Sequence, residues 1–504
     1  MTRFHAHEKR VVDSRQVVRR LRERGLSPRW RGDPPAEFEG LYDDSRAVRE
    51  GGLFCAVRGT RVDAHRFLAE ARDAGAAAAV VEAPRPELDL PQLVVDDTRL
   101  AVAHLASLFA GDPAGELRVH GVTGTNGKTT TAWTLRHVLA GEAAAAAVGT
   151  LGVVDRSGRR VPRDLTTPGP IELMEMLRDL RGEGAEHVAM EASSHALDQR
   201  RVDGINFASM AFTNLGHDHL DYHGTPEAYR RAKLRAARLV APSGACVVNR
   251  DDRAWRDLDP GASRLVTYGR APDADVRAVD VEHAPHGSVW TLQHGEDRIR
   301  VATPLPGSFN VSNSLAAAAA ALAAGLSLET VGRRLGTVPQ VPGRMEVLLR
   351  KPCLVVRDFA HTPEALRKAL EVLRPEQARL CVVFGCGGDR DATKRAPMGR
   401  AASEVAHRSF VTTDNPRSED PESIAREVVR DMDPGTFEIV LDRREAIRRA
   451  LLWADPADVV LLAGKGHETY QAVGDRKEPF DEARIVEELT REIERGHARG
   501  ESEA

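Results

Sequence analysis

Nothing in the 504 residues approaches the ~20 consecutive apolar positions that a bilayer-spanning helix needs, and the alanine run at 143–147 is far shorter. Membrane insertion is therefore not expected. Cysteine is scarce too, with five residues at 55, 246, 353, 381 and 386. An odd, scattered set without paired ligand spacing gives neither a disulfide framework nor a zinc module, and reduced thiols in the cytoplasm fit it best. Charge of one sign is also missing. Lys plus Arg number 71 against 75 Asp plus Glu, a formal net charge of −4, so no global basic excess points to nucleic acid. The first 31 residues are locally basic, with ten Lys/Arg against three acids, but no apolar core follows as a signal peptide requires, and export is not expected. There Val11, Val12, Val17, Val18 and Leu21 suggest an amphipathic helix with a solvated basic face rather than a nucleic-acid arm. No fixed-period repeat is present, which sets aside solenoid architectures.

What the chain does have is length and alternation. It is long enough for about three domains, and its 42% hydrophobic residues can bury substantial cores. Between 41 and 82, brief apolar runs (LFCAV at 53–57, AAAAVVE at 76–82) alternate with polar turns, as in a small α/β domain that closes at the connector GDPAG, 111–115. From 116 to about 341, runs such as LRVHGVTG, HVAMEASS and ASMAFTNLG alternate with helical patterns, as a mostly parallel sheet flanked by helices requires. They end in polar residues, where ligands gather. A second connector, TVPQVPGRME at 337–346, precedes CLVVRDFAH, RLCVVFGCGG and DVVLLAGKGHE, which read as another doubly wound unit. The fold class expected is α/β in three domains, 1–113, 114–341 and 342–504, the second with a phosphate loop and a mostly parallel sheet, the third Rossmann-like.

The stretch GVTGTNGKTT at 121–130 carries the strongest chemical signal. It follows an apolar lead-in and opens a segment, 131–140, whose Trp133, Leu135, Val138 and Leu139 could line one helix face. In a strand–turn–helix of this kind Gly124 and Gly127 let the backbone aim N–H groups at a phosphate. Thr125, Asn126 and Thr130 complete the loop, Lys128 reaches outer phosphates, and the Thr129 hydroxyl suits Mg²⁺. ATP is the natural guest. The strict pattern places Gly at 122, where this chain has Val122 with Gly121 one place early, so the loop is a variant; the bland alternative is a Gly/Thr helix cap with a lysine nearby.

Glu191 directly follows HVAM and should stand at a strand end, where a carboxylate can bind Mg²⁺ or simply cap a helix. The run 213–233 supplies His217, Asp218, His219, Asp221, His223 and Lys233. Three histidines also admit zinc, but they form no open three-ligand helix motif, and a phosphate loop prefers a hard cation. Lys233 read alone is a solvated cation.

In order along the chain, LYDDSR, GVTGTNGKTT, LTTPGP, MEASSHALDQRR, TNLGHDHLDYHGT, PLPGSFNVSN, VPGRME, RDFAHTPEAL, GCGGDRDATKRAPM, TDNPRSEDP and AGKGHETY resemble the Mur ligase family. The resemblance spans nearly the whole chain. It implies an amino-terminal domain gripping a UDP end, a central ATPase and a mobile carboxyl-terminal domain bringing an amino acid. Ser45, Thr60, Arg61 and Val62 would lie at the uridine-diphosphate end of the substrate, and Thr166, Thr167, Ser193, Gln199 and Arg201 would hold its sugar and peptide. Glu191 and Thr129 would take one Mg²⁺, and His219 with Lys233 a second. By the same resemblance Lys233 would carry a carbamate (N6-carboxylysine), and Lys128, His219 and Lys233 would be the catalytic residues. Asn310 and Asn313 would lie on the adenine side, with Arg344 and Asp358 completing the nucleotide site.

The branch implied adds meso-diaminopimelate to UDP-N-acetylmuramoyl-L-alanyl-D-glutamate through an acyl phosphate, in peptidoglycan precursor synthesis, with a monomer expected. Arg390, Asp414, Asn415, Pro416, Arg417, Gly464 and Glu468 match its amino-acid positions. Arg417 is the discriminating one. A guanidinium meets the distal carboxylate of diaminopimelate with two parallel hydrogen bonds, whereas an acid there would attract a lone ammonium. Two departures stand out: Ala64 precedes His65 where relatives often have Gly, and Phe359 replaces a usual Tyr. The rival readings are a folylpolyglutamate-synthetase-like ligase, against which the DSR and DNPR segments speak, and a nucleotide-binding regulator without catalysis, against which Lys128, Glu191, His219 and Lys233 speak.

Overall fold

The computed structural model describes residues 10–502 apart from Arg61, Glu142, His217, Pro285, His286 and Glu376; of 496–502 it describes the helix alone. Compactness divides the chain into two units. The first takes residues up to 281 with 289–302 and 309–338, and the second takes 282–288, 303–308 and 339 onward.

Among its described residues the first unit carries two main sheets besides the short pair Val12–Asp13 with Glu37–Phe38. In the smaller, the strands run in the order Arg29–Arg31, Gln92–Val94, Ala76–Val81, Gly52–Cys55, Gly40–Tyr42, all neighbours parallel except the first pair. The two apolar runs expected as strands are the two most buried members, Gly52–Cys55 and Ala76–Val81. The larger sheet has eleven strands. Its parallel heart is Ala145–Gly149, His187–Glu191, Arg118–Thr123, Phe207–Phe212, Val240–Asn249 and Arg264–Gly269, side by side. These are the continuous apolar segments that a sheet covered on both faces demands. Their carboxyl ends point one way, which brings Thr123, Glu191 and Thr213 to a common edge.

One apolar cluster serves both sheets. It runs from Val12, Val17 and Leu21 through Leu53, Val80 and Leu93 to Val119, Val188, Phe212, Trp255 and Leu258. The helix Thr98–Phe109, buried along most of its length, packs against Pro170–Gly182. Arg20 adds a bidentate pair with Asp112 at 2.7 Å for each bond.

The second unit holds a six-stranded sheet in the order Glu346–Leu349, Leu354–Asp358, Val459–Ala463, Leu380–Phe384, Arg408–Val411, Phe437–Ile439, parallel but for its first pair. An antiparallel hairpin, Tyr470–Val473 with Arg476–Pro479, follows.

Two local expectations change. The N-terminal helix starts at Ser14, not at Val11, because Asp13 caps it in a capping box with Gln16. Val12 is thereby left in a short strand paired with Phe38, and Val11 is exposed. The helix after the phosphate loop begins at Lys128 rather than Thr131. Leu135, Val138 and Leu139 line its buried face, while Trp133 is only half-buried.

Candidate active site

The loop between the strand Arg118–Thr123 and the helix Lys128–Leu139 is built from its two glycines. Gly124 has φ +148° and Gly127 has φ +87°, both in the region that side chains rarely enter. A Cβ at Gly124 would run into Thr213 Oγ1, and one at Gly127 into Asn313 Oδ1. The loop is held from the neighbouring strand end: Asn214 O accepts from Thr125 N (2.7 Å), Asn214 Oδ1 from Asn126 N (3.0 Å), and Thr213 Oγ1 donates to Asn126 O (2.7 Å). Lys128 Nζ folds back on the loop, donating to Gly124 O (3.0 Å) and Thr125 O (2.9 Å), so the cation sits within the curve of the loop. Thr129 and Thr130 are buried on the first helical turn. Asn310 and Asn313 share the helix Ser308–Ala323 and are joined by an Asn313 Nδ2 to Asn310 Oδ1 bond of 3.2 Å.

Glu191, 2% exposed, ends its strand beside this loop. Thr129 Oγ1 donates to its Oε2 (3.1 Å), Thr150 Oγ1 to the same oxygen (3.1 Å) and Thr150 N to its Oε1 (2.8 Å). A buried carboxylate beside a threonine hydroxyl at a phosphate loop is an oxygen-only donor set, which fits Mg²⁺. Among the described residues no three His, Cys, Asp or Glu side chains gather into a metal cage, and His217, one of the three histidines of the zinc alternative, lies outside them.

Behind Glu191 the substrate candidates form one chain of hydrogen bonds. Thr166 meets Thr150 (3.1 Å), and Thr167 Oγ1 donates to the Glu191 carbonyl (2.8 Å) and accepts from Ser193 N (3.2 Å). Arg201 donates to Thr167 O (2.9 Å) and to Gln199 Oε1 (2.8 Å), and Gln199 in turn donates to the Tyr222 hydroxyl (3.1 Å). Ser45, Thr60 and Val62 are apart from this chain, on loops of the smaller sheet; Thr60 and Val62 are exposed. Arg61 is outside the described residues. Arg99 ties the root of that loop to the helix Thr98–Phe109 through the Arg58 carbonyl (2.7 Å). Ala64 causes no strain, since it begins a 3₁₀ turn without a left-handed φ.

Lys233 is 1% exposed, and its Nζ donates to Gly124 O at 2.7 Å with the Tyr229 ring 4.6 Å away. Burial, seconded by the charge of Lys128, pulls its amine well below the ordinary lysine range. His219 lies on a left-handed residue (φ +53°), its ring 4.7 Å from His195 and 6.4 Å from Tyr229. Burial lowers the pKa of His219, and burial with His219 and His223 takes His195 down to about 4.

In the second unit Asp358 accepts from Met345 N (2.7 Å) and Ala360 N (2.8 Å); burial raises its carboxyl and Arg344 opposes the shift. Phe359 lies under the Arg344 guanidinium (4.4 Å) and beside His361 (4.6 Å), so the ring keeps a cation–π role without a phenol. Two loops meet at the carboxyl ends of this sheet. Asn415 Nδ2 donates to Glu468 Oε2 (2.8 Å), Arg417 Nη1 to Gly388 O (2.7 Å), and Asn415 O accepts from Gly388 N (2.9 Å). Gly464 (φ +109°) leaves room for Asp414, whose Oδ2 would be 2.6 Å from a Cβ there. The buried ring of Pro416 carries the chain past Gly388 into Arg417, itself left-handed at φ +52°. Arg390 is exposed.

Sequence reasoning missed Thr150, Asn214 and His195. Each follows a strand or sits inside a quoted motif, but only the parallel register shows what it touches.

The family descriptions "Mur ligase family, catalytic domain", "Mur ligase middle domain" and "Mur ligase, glutamate ligase domain" match residues 37–110, 122–321 and 343–466. The chain is 42% identical over 481 residues, 90% of its length and 94% of the relative's, to the UDP-N-acetylmuramoyl-L-alanyl-D-glutamate--2,6-diaminopimelate ligase of Geobacter sulfurreducens. It is 42% identical over 482 residues to the protein of the same name from Geobacillus thermodenitrificans, covering 92% and 96%. A solved structure described as a UDP-N-acetylmuramoyl-L-alanyl-D-glutamate--2,6-diaminopimelate ligase superposes with TM-score 0.66 at 33% identity, covering 92% of this chain and 96% of that one.

Proposed function

The chain belongs to the Mur ligase family, and from that premise we propose how its residues do the work. It is an ATP-dependent, amide-forming ligase that adds diaminopimelate to UDP-N-acetylmuramoyl-L-alanyl-D-glutamate. The division of labour we assign is 1–113 for the UDP end, 114–341 for ATP and 342–504 for the amino acid.

The reaction needs an acyl phosphate from the γ-carboxylate of D-glutamate and ATP, then attack by the diaminopimelate amine with loss of phosphate. The N–H groups of Gly127 to Thr130 at the helix start and the Lys128 ammonium would face the phosphates, while Thr125 N and Asn126 N hold the loop to Asn214, so charge that builds there meets fixed donors. The hydrogen-bonded chain Thr166–Thr167–Ser193–Gln199–Arg201 orients the dipeptide arm next to Glu191. Thr129 with Glu191, and His219 with a carbamate on Lys233, would hold Mg²⁺, which when bound neutralises phosphate charge. Lys233 is suited to that modification because its amine is buried and depressed, hence nucleophilic toward CO2. Asn310, Asn313, Arg344 and Asp358 would serve the nucleotide, and Ser45, Thr60, Arg61 and Val62 the uridine diphosphate.

The observation that carries the choice of amino acid is Arg417, half-buried and anchored to Gly388 O on the loop pair that also holds Asp414, Asn415 and Glu468. A cation and two acids there match a distal end bearing both a carboxylate and an ammonium. Arg390 and Gly464 border the same loops. We take the enzyme to be a cytoplasmic monomer, in keeping with five buried free cysteines; sedimentation checks the oligomeric state. The deciding experiment measures phosphate release with ATP, the UDP-dipeptide and either meso-diaminopimelate or L-lysine. Diaminopimelate is preferred, and Arg417→Ala loses the preference. No release with any amino acid refutes the ligase, and an unchanged preference in Arg417→Ala refutes the role of that arginine.

A further inference from the structure

Lys465 is fully buried in the turn after the strand Val459–Ala463, between Gly464 and Glu468. Its ammonium donates to Asn415 Oδ1 (3.2 Å) and stands 3.6 Å from Glu468 Oε2. Asn415 relays this outward: the same Oδ1 accepts from Ala472 N (2.8 Å), which leaves Nδ2 to hold Glu468 at 2.8 Å. Gln471 braces the segment from behind, donating to Thr413 O (3.2 Å) and Asp414 O (3.1 Å). Burial lowers the Lys465 ammonium, and Asp414 is the strongest opposing influence, with Glu468 also holding the charge. A cation taken fully out of water is costly unless paired, and here two carboxylates flank it.

Formal charge around the distal end of the amino-acid pocket then comes to zero. Asp414 and Glu468 bring two negative charges, and Lys465 and Arg417 bring two positive ones; the exposed Arg390 is offset by Asp389 beside it. A neutral but polarised pocket complements a zwitterion. Without Lys465 it would be an anionic pocket, which rewards a bare ammonium such as that of L-lysine.

We propose that Lys465, resting on the diaminopimelate reading above, is a specificity-determining positioning residue. It fixes the Asn415 amide and cancels one carboxylate charge, so that Arg417 can receive the distal carboxylate. It does not touch the amino acid itself. Glu468 is presented to the ammonium with its position set by Asn415 and its charge moderated by Lys465.

The test compares native protein with Lys465→Met and Lys465→Gln, using initial rates on meso-diaminopimelate and L-lysine at saturating ATP and UDP-dipeptide. The diaminopimelate-to-lysine ratio of kcat/KM is expected to fall by about tenfold or more in both variants, as one unit charge at this range implies. The KM for diaminopimelate rises, while the KM values for ATP and the UDP-dipeptide stay within about twofold. An unchanged ratio, or an equal loss for all substrates, overturns the inference. Glu468→Gln leaves Lys465 in place and supplies an independent readout: its ratio should move the other way, and an unchanged or lowered ratio there overturns the inference even if neither lysine variant folds. Native protein inert toward diaminopimelate instead overturns the reading on which this one rests.

Discussion

Lys128 and Lys233 converge on a single acceptor, the Gly124 carbonyl oxygen, at 3.0 and 2.7 Å. Burial, and after it the repulsion of the Lys128 ammonium, lowers the pKa of Lys233, the more deeply buried of the two, and so favours its uncharged amine. A neutral amine can then take up CO2, exchanging a cation for an anion beside the phosphate loop. Lys233→Ala should therefore lower kcat by about a hundredfold or more, a typical cost of removing a group that stabilises transition-state charge. Native protein supplied with ¹³C-bicarbonate should show a carbamate carbon resonance, and the variant should lack it. A fully active variant, or native protein without that resonance under turnover conditions, counts against the modification.

Glu191 offers a separate handle because its carboxylate is held by protein groups already present. In Glu191→Gln the amide nitrogen would meet the Thr150 N–H as donor against donor at the Oε1 place, or at the Oε2 place force the Thr129 and Thr150 hydroxyls to turn and accept; either way the carboxylate charge is lost. Activity is expected to fall by about a hundredfold or more. The magnesium concentration for half-maximal rate should also rise. Titration of initial rate against Mg²⁺ reads both, and an unshifted magnesium dependence would show that the carboxylate is structural.

Acid should loosen the first unit through its buried histidines. His120 is enclosed in the central sheet, its ring nitrogens 2.9 Å from Ser209 Oγ and 2.9 Å from His187 Nδ1. Burial, then His187, pushes its pKa from the ordinary 6.5 to about 3. The unfolded chain therefore binds a proton that the folded one refuses across that interval. Its contribution to stability is full above about pH 6.5 and declines as pH falls toward 3, by up to about 1.4 kcal/mol per pH unit. His104 and His137, each taken to about 4 chiefly by burial, act in the same direction. Urea unfolding at pH 7.5, 6 and 5 should show that decline, with a shallower slope in His120→Leu; equal slopes would assign the acid sensitivity elsewhere.

The phosphate loop and Glu191 could be read from the chain because each depends on residues a few positions apart: a glycine turn opening a helix, an acid closing an apolar run. Their partners could not. Asn214 is 88 residues from Asn126, and Thr150 is 41 from Glu191, and both meet because parallel strands align their carboxyl ends. Lys465 stands between two glycines and nothing local marks it out; its burial and its bond to Asn415, 50 positions away, come from the fold. Five valine and leucine positions from Val11 suggest helical spacing, but the Asp13 side chain decides where the N-terminal helix begins.

The apolar cluster shared by the two sheets of the first unit has a practical side. A protease that nicks the connector at 111–115 leaves the severed pieces clasped through Val12, Leu53, Val119 and Trp255. A gene truncated there yields a single fragment with a raw, sticky face rather than a free-standing domain. The smaller sheet and the central sheet are consequently denatured and lost together.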